Sequence, residues 1–341
     1  MRILVTATHA PFLYGGGERH MQNLCAALRS AGHEVELLRL PFKYSPDSDI
    51  ERVMSFCDGY DVSAPNGQHI DRVISLQFPG YGMRHPHHVV WLMHQHRAVY
   101  ELFDESKATP ERRQLRHQIV AFDNRVLSGV SRRFANSRRV AERLRQFNGL
   151  ESTPLYHPPP GAERLRCEDS WDYVFYPSRL ESLKRQDLLI DAARLMTSKT
   201  KVLIGGEGPQ MERYQRLIER HELGDRVRLI GPFSEAERIA HYAHALAIAY
   251  PTFDEDLGYV ALEAMYAGKP VVTCLDSGGP LEFVVHDQTG FVTEPTPEAL
   301  AEAIDRLADH PERAREMGRA GRERIVGMDL SWPRVVAALC A

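Results

Sequence analysis

Short apolar runs alternate with amphipathic stretches along most of the chain. Arg2–Thr6 is a β-branched run, followed by the Gly-rich segment Gly15-Gly16-Gly17. Met21, Leu24, Cys25 and Leu28 then recur at helical spacing up to Gly32. Val35–Leu40 reads as a second strand, and Val73–Leu76 and Val89–Met93 as two more. Neither of these last two alternates strictly between apolar and polar, as expected of strands in a parallel sheet covered on both faces. A long helical region follows Pro110, then Phe134-Ala135-Asn136, then another helix through Leu144.

The pattern breaks at Thr153-Pro154 and Pro158-Pro159-Pro160-Gly161. Three consecutive prolines fit neither a helix interior nor a central strand, so a domain edge is placed there. Beyond it the alternation restarts, with strands predicted at Tyr173–Tyr176, Lys201–Ile204, Val227–Ile230, Ala245–Tyr250 and Val271–Thr273. Such alternation predicts an α/β protein of two doubly wound, Rossmann-like domains, with ligands at the carboxyl ends of the strands. The expected division is residues 1–160, residues 161–326 and a terminal helix in 327–341, with Ser331 as N-cap and Pro333 in its first turn. A cleft between two facing domains is the default active site.

The chain's 341 residues exceed what one core of ordinary size encloses. With 43% hydrophobic and 26% charged residues it reads as a soluble globular protein, not a fibre or a disordered regulator. Runs such as Val89-Val90-Trp91-Leu92-Met93 fall far short of the ~20 residues that span a bilayer. Met1 leads directly into a strand, with no cleavable signal pattern. Cys25, Cys57, Cys167, Cys274 and Cys340 lack metal or redox spacing, so buried thiols in a reducing compartment are expected, and with them a cytoplasmic location.

A net charge of −4 argues against a nucleic-acid partner. The sum conceals a basic first half and an acidic second half. Ten arginines fall within residues 108–148. They read either as a solvated helical face or as a surface for peripheral contact with anionic membrane or a phosphate-bearing acceptor.

The most informative segment is Phe253-Asp254-Glu255-Asp256-Leu257-Gly258-Tyr259-Val260-Ala261-Leu262-Glu263. It follows a predicted strand, Gly258 permits close backbone approach, and a helix is expected from near Tyr259. The free N–H groups of a helix N-terminus suit a diphosphate. Glu263, about one turn in, can accept two hydroxyl hydrogen bonds from a ribose, and Glu255 can face a second polyol. Arg179 and Lys184 flank the turn after Tyr173–Tyr176, where two cations can hold a pyrophosphate and neutralise it as it departs. Gly205-Gly206-Glu207-Gly208-Pro209 makes a further tight turn. Gly16 and Gly17 lie in a run with neither dinucleotide-fingerprint nor P-loop spacing, and their amides suit a loop that reaches a phosphate. His94 and His96 follow the strand Val89–Met93 and would lie at its carboxyl end.

These residues resemble a family 4 glycosyltransferase of the GT-B fold. The resemblance rests on Gly-Gly-Gly-Glu-Arg-His (15–20), Trp-Leu-Met-His-Gln-His-Arg (91–97), Asn136-Ser137, Arg179 with Lys184, and Gly-Gly-Glu-Gly-Pro (205–209). Further on it includes Glu255 with Glu263, Gly-Gly-Pro-Leu-Glu (278–282) and Thr289-Gly290. It runs to about residue 325 and is more specific in the second half. The 278–282 run is closest to mannosyltransferase-type members.

The resemblance implies a hexose moved from a UDP- or GDP-linked donor to a glycan, lipid-linked or small-molecule hydroxyl, with retention and without a metal. Arg179, Lys184, Gly16, Gly17 and the backbone of Gly258, Tyr259 and Val260 would hold the diphosphate, with Glu207 on the donor side. Glu263 would hold the ribose and Glu255 the transferred sugar. His94 would approach that sugar from the other domain, and the terminal helix would cross back to the first domain. Asp256 departs from the family pattern, where glycine is usual, and adds negative charge near the sugar.

A nucleotide-sugar 2-epimerase of the same architecture and a non-catalytic binding module are the rival readings. The acidic triplets Asp47-Ser48-Asp49 and Asp254-Glu255-Asp256 and the sixteen histidines show no zinc-type ligand spacing, and no metal is expected.

Overall fold

The computed structural model describes residues 1–12 and 15–341. The chain divides into two compact units, residues 1–157 with 331–341, and residues 158–330. The first contains β1 (Arg2–His9), α1 (Gly16–Ser30), β2 (Glu34–Pro41), α2 (Asp47–Cys57), β3 (Arg72–Ser75), β4 (His88–Leu92), α3 (Pro110–Gly129), β5 (Arg132–Ala135), α4 (Arg138–Asn148) and β6 (Thr153–Pro154). The second contains β7 (Tyr173–Pro177), α5 (Gln186–Leu195), β8 (Lys201–Gly205), α6 (Met211–Arg220), β9 (Val227–Gly231), α7 (Glu235–His244), β10 (Ala247–Ala249) and α8 (Tyr259–Tyr266). It continues through β11 (Val271–Cys274), β12 (Gly290–Thr293), α9 (Pro297–Asp309) and α10 (Pro311–Gly327). The last helix, α11 (Trp332–Cys340), belongs to the first unit.

Each unit is built on a six-stranded sheet, ordered β2-β1-β3-β4-β5-β6 in the first and β12-β11-β10-β7-β8-β9 in the second. Every strand pairing is parallel. The expectation of two doubly wound α/β domains therefore holds. In each sheet the order reverses once, between β1 and β3 and between β7 and β10, the position at which sheets of this kind bind their ligands.

The buried strands explain the run-like apolar pattern: β4, β7 and β11 are buried along their full length. Val335, Val336 and Leu339 of α11 join Ile3, Val5, Leu24 and Trp91 in one core cluster. Arg72 donates to the Leu339 carbonyl at 2.7 Å and Arg132 to that of Ala338 at 2.6 Å, satisfying carbonyls that a helix end leaves unpaired. Ser331 occupies the N-cap position of α11, but its side chain makes no capping bond.

The structure gives two further segments a definite place. Residues 132–135, to which the sequence reading assigns no element between its two helices, form β5; arginine at two of its four positions hides the strand pattern. Asp47-Ser48-Asp49 opens α2, with Asp49 paired to Arg52 at 2.7 Å and Asp47 to Arg112 at 2.6 Å.

The arginines of 108–148 are largely engaged within the first unit. Besides Arg112 and Arg132, Arg113 pairs with Glu105 at 2.6 Å and Arg125 with Asp58 at 2.8 Å. Arg116 and Arg133 donate to the carbonyls of Val99 and Leu127 at 3.0 and 2.9 Å, and Arg143, 2% exposed, lies 3.5 Å from Glu101. The expectation of contact with anionic membrane gains no support from them. Among the described residues no helix is long and apolar enough to cross a membrane.

One buried acid stands out in this unit. Asp123 of α3 accepts hydrogen bonds of 2.6 Å from both Tyr81 and Tyr100. Burial pushes its carboxyl up to about 7, against the opposing effect of the two phenols. The unfolded chain loses this proton near pH ~4, while the folded chain keeps it until about 7. Its contribution to stability is therefore complete below pH ~4, falls as pH rises toward 7, and is flat above. Buried His20, His88 and His96, whose imidazoles burial lowers, impose the opposite slope in that window. Asp123→Asn should therefore make the pH slope of the first unit's stability more positive by up to about 1.4 kcal/mol per pH unit, measured by denaturant unfolding. An Asp123→Asn protein with the same slope as the parent would refute this assignment.

Candidate functional site

The second unit brings most of the predicted residues to the switch point of its sheet. The turn after β7 carries Arg179 and Lys184, and the loop after β10 carries Glu255 and Gly258. Lys184 forms an ion pair with Glu255, with side chains 20% and 18% exposed. Arg179 pairs with Glu181 at 2.7 Å. Burial, followed by the charge of Glu255, pushes the Tyr250 phenol well above its usual range, and that phenol also hydrogen-bonds Glu255.

The acidic loop is fixed by backbone contacts on both sides. The amides of Phe253, Asp254 and Glu255 donate to the carbonyls of Leu183, Asp276 and Ser277, each at 2.8 Å, and the Gly279 amide donates to the Glu255 carbonyl at 2.8 Å. Gly258 has φ 83°, and a β-carbon there would lie 2.8 Å from Cγ of Pro280. A β-carbon at Gly278 would lie 2.6 Å from the Glu255 carbonyl oxygen. Glycine is required at both positions: at Gly258 to turn the chain into α8, and at Gly278 to let the two loops touch.

Helix α8 starts at Tyr259, with no side-chain cap and no acidic residue in its first turn. The positive end of its dipole lies there, next to the acidic loop, and favours a negative charge nearby. Val260 lies in that first turn, half-buried like Tyr259. Glu207, on the neighbouring turn after β8, is exposed, and its carbonyl accepts from the Leu180 amide at 2.9 Å.

Glu263 is set deeper than the sequence suggests, at 4% exposure. One carboxylate oxygen lies 2.6 Å from Arg238, itself 2% exposed, and the other accepts from the Tyr242 hydroxyl at 2.7 Å. Both partners come from α7, which starts with a capping box of Ser234 and Glu237. That box is legible in sequence, but the 25-residue reach from Arg238 to Glu263 is not. Arg185, Asp276 and Tyr250 are further members of the site that the sequence did not single out.

Gly16, Gly17 and His94 lie in the first unit. Gly16 is the first residue of α1, and a β-carbon at Gly17 would lie 3.1 Å from Met93. Glu18 accepts from Arg39 at 2.8 and 3.0 Å, and Gln77 accepts from the Thr8 amide and hydroxyl at 3.2 and 2.9 Å. These groups crowd the switch point between β1 and β3. His94, just beyond β4, donates from Nδ1 to the Gln95 carbonyl at 2.7 Å, which in a neutral ring leaves Nε2 as an acceptor. His96 is buried, and burial lowers its imidazole to about 4. Among the described residues no group of three or more His, Cys, Asp or Glu side chains is placed to hold a metal ion.

This pair of parallel, doubly wound domains is the GT-B fold. Residues 165–324, within the second unit, match the family described as "Glycosyl transferases group 1". Over 118 residues the chain is 37% identical to the alpha-1,3/1,6-mannosyltransferase of Homo sapiens, a match covering 34% of this chain and 28% of that protein. Over 231 residues it is 32% identical to a GDP-mannose-dependent alpha-(1-6)-phosphatidylinositol monomannoside mannosyltransferase of Mycobacterium tuberculosis, covering 63% of this chain and 59% of that one. The first curated relatives are thus matched over 26% to 63% of their length. In fold, the chain is similar to sucrose-phosphate synthase of Thermosynechococcus elongatus, with a TM-score of 0.81, 19% identity and coverage of 99% of this chain and 97% of that one.

The Arg238–Glu263 pair gives a direct check on how the site is supported. Arg238→Met strands a buried carboxylate and should destabilise the second unit by about 3–5 kcal/mol. The double variant Arg238→Met with Glu263→Gln should recover much of that loss, as measured by denaturant unfolding. Strictly additive losses would show that the two side chains are not coupled.

Proposed function

We propose that this chain is a glycosyltransferase that moves a hexose from a UDP- or GDP-linked donor to a hydroxyl of a glycan, lipid-linked or small-molecule acceptor. The observation that carries the reading is the partly exposed Lys184–Glu255 pair beside the N-terminus of α8, within a unit that matches the glycosyl transferases group 1. An ammonium beside a helix N-terminus suits a diphosphate, and a carboxylate next to it suits sugar hydroxyls. The match to that family favours transfer over epimerisation. The mannosyltransferase relatives make GDP-mannose the first donor to test.

In this reading Lys184 releases Glu255 when the diphosphate arrives. Arg179 similarly exchanges Glu181 for a phosphate oxygen, and the amides of Tyr259 and Val260 complete the cradle. These positive groups stabilise charge as it develops on the leaving diphosphate, so the effect is greater in the transition state than in the ground state. Glu255 steadies the transferred sugar, and Glu263, held by Arg238 and Tyr242, presents an already oriented carboxylate to the ribose. Gly16, Gly17, Glu207 and His94 are assigned to the donor. The diphosphate oxygen takes the acceptor proton, so the transfer proceeds with retention and needs neither a metal nor a separate base.

Release of nucleoside diphosphate from GDP-mannose, UDP-glucose and related donors tests this directly, with and without acceptor. Lys184→Ala and Arg179→Ala should each lower kcat/KM by roughly 10²-fold or more, while a chelator should leave the parent rate unchanged. Near-normal rates in either variant would overturn the phosphate assignment. An epimer formed from the donor alone, detected by NMR, would favour the rival activity.

A further inference from the structure

Three cations crowd the turn after β7: Arg179, Lys184 and Arg185. Arg185 differs from the other two in what surrounds it. Its backbone is left-handed, with φ 50° and ψ 44°, a conformation that disfavours any residue with a β-carbon. This aims its guanidinium away from α5 and into the loops after β10 and β11. Nε donates to the Pro251 carbonyl at 2.7 Å, and Nη2 to the Thr252 carbonyl at 2.6 Å. Nη1 and Nη2 grip the two oxygens of Asp276 at 2.8 and 2.7 Å. The side chain is 18% exposed.

We infer that Arg185 is a positioning residue for the transfer reaction, setting the Glu255 loop in register with Lys184. The inference rests on the glycosyltransferase reading of the same site. Arg185 immediately follows Lys184, so one backbone step couples the cation to the pin. The carbonyls that the guanidinium fixes are the last two before Phe253, whose amide opens the run of bonds that holds Glu255. Asp276 is fixed from both directions, its carboxylate by Arg185 and its carbonyl by the Asp254 amide at 2.8 Å. With four donor contacts already made, this guanidinium acts through the loop and not on a phosphate.

Only a planar fork satisfies two carbonyls and a bidentate carboxylate at once. A lysine retains the charge but cannot reproduce that geometry, so Arg185→Lys separates positioning from electrostatics. The parent, Arg185→Lys, Arg185→Met, Glu255→Gln and the double variant Arg185→Lys with Glu255→Gln are compared by two measurements.

The first is amide hydrogen exchange, which needs no activity. Both Arg185 variants should speed exchange at residues 253–255 by at least about tenfold, leaving α9 unchanged. Unaltered exchange there overturns the proposal, as does a global increase. The second is transfer kinetics. Arg185→Lys should lower kcat by roughly 10²-fold with a smaller change in nucleoside diphosphate Kd, and the loss should shrink in the Glu255→Gln background. A rate within about twofold of the parent, or losses that simply multiply, also overturns it. If the parent transfers no sugar from any donor, the functional reading fails with it, and the exchange result alone decides whether Arg185 orders the loop.

Discussion

The approach of two backbones, residues 254–258 and 276–280, is the contact on which the rest of the second unit's chemistry depends. Glu255 and Gly278 form a parallel bridge there, as if a short strand had been added beyond the sheet. At so small a separation side chains are excluded, and glycine at positions 278 and 279 follows from geometry: a β-carbon at Gly279 would lie 2.5 Å from the Asp256 carbonyl oxygen. The bridge fixes where the acidic loop ends. That in turn fixes where α8 begins, and so the direction in which its dipole points.

Burial then sorts the charges by what each can do. The Arg238–Glu263 pair has side chains 3% and 6% exposed, and separating it would leave a charge in a dry interior at a cost of several kcal/mol. The Lys184–Glu255 pair is solvated on one side, so its partners can be exchanged for an anionic ligand at much lower cost. One carboxylate is therefore a fixed strut and the other an exchangeable counterion, although they lie only eight positions apart. Tyr250 and Tyr176 line the pair from beneath, their phenols kept protonated first by burial and then by the nearby Glu255 charge.

Much of this was legible in the sequence, for identifiable reasons. Fully buried strands read as apolar runs, and the strand, glycine and helix order at 250–263 marked the loop because each feature is local. What escaped was long-range. Nothing near Arg238 announces Glu263, and nothing near Arg185 announces Asp276, because such pairs exist only once parallel crossovers bring distant turns together. β5 was missed because its arginines reach for helix carbonyls, so its polarity reports caps and not solvent. The arginine count of 108–148 is uninformative for the same reason: most of those side chains serve as donors within the unit.

The first unit is discontinuous, its core completed by α11 after the whole of the second unit has been traversed. During synthesis the surface formed by Ile3, Leu24 and Trp91 must wait for Val335, Val336 and Leu339, while residues 158–330 emerge and can fold first. The first unit is thus finished only after the second has emerged. Its apolar surface, left open through most of translation, is where chaperones and misassembly would compete for the nascent protein.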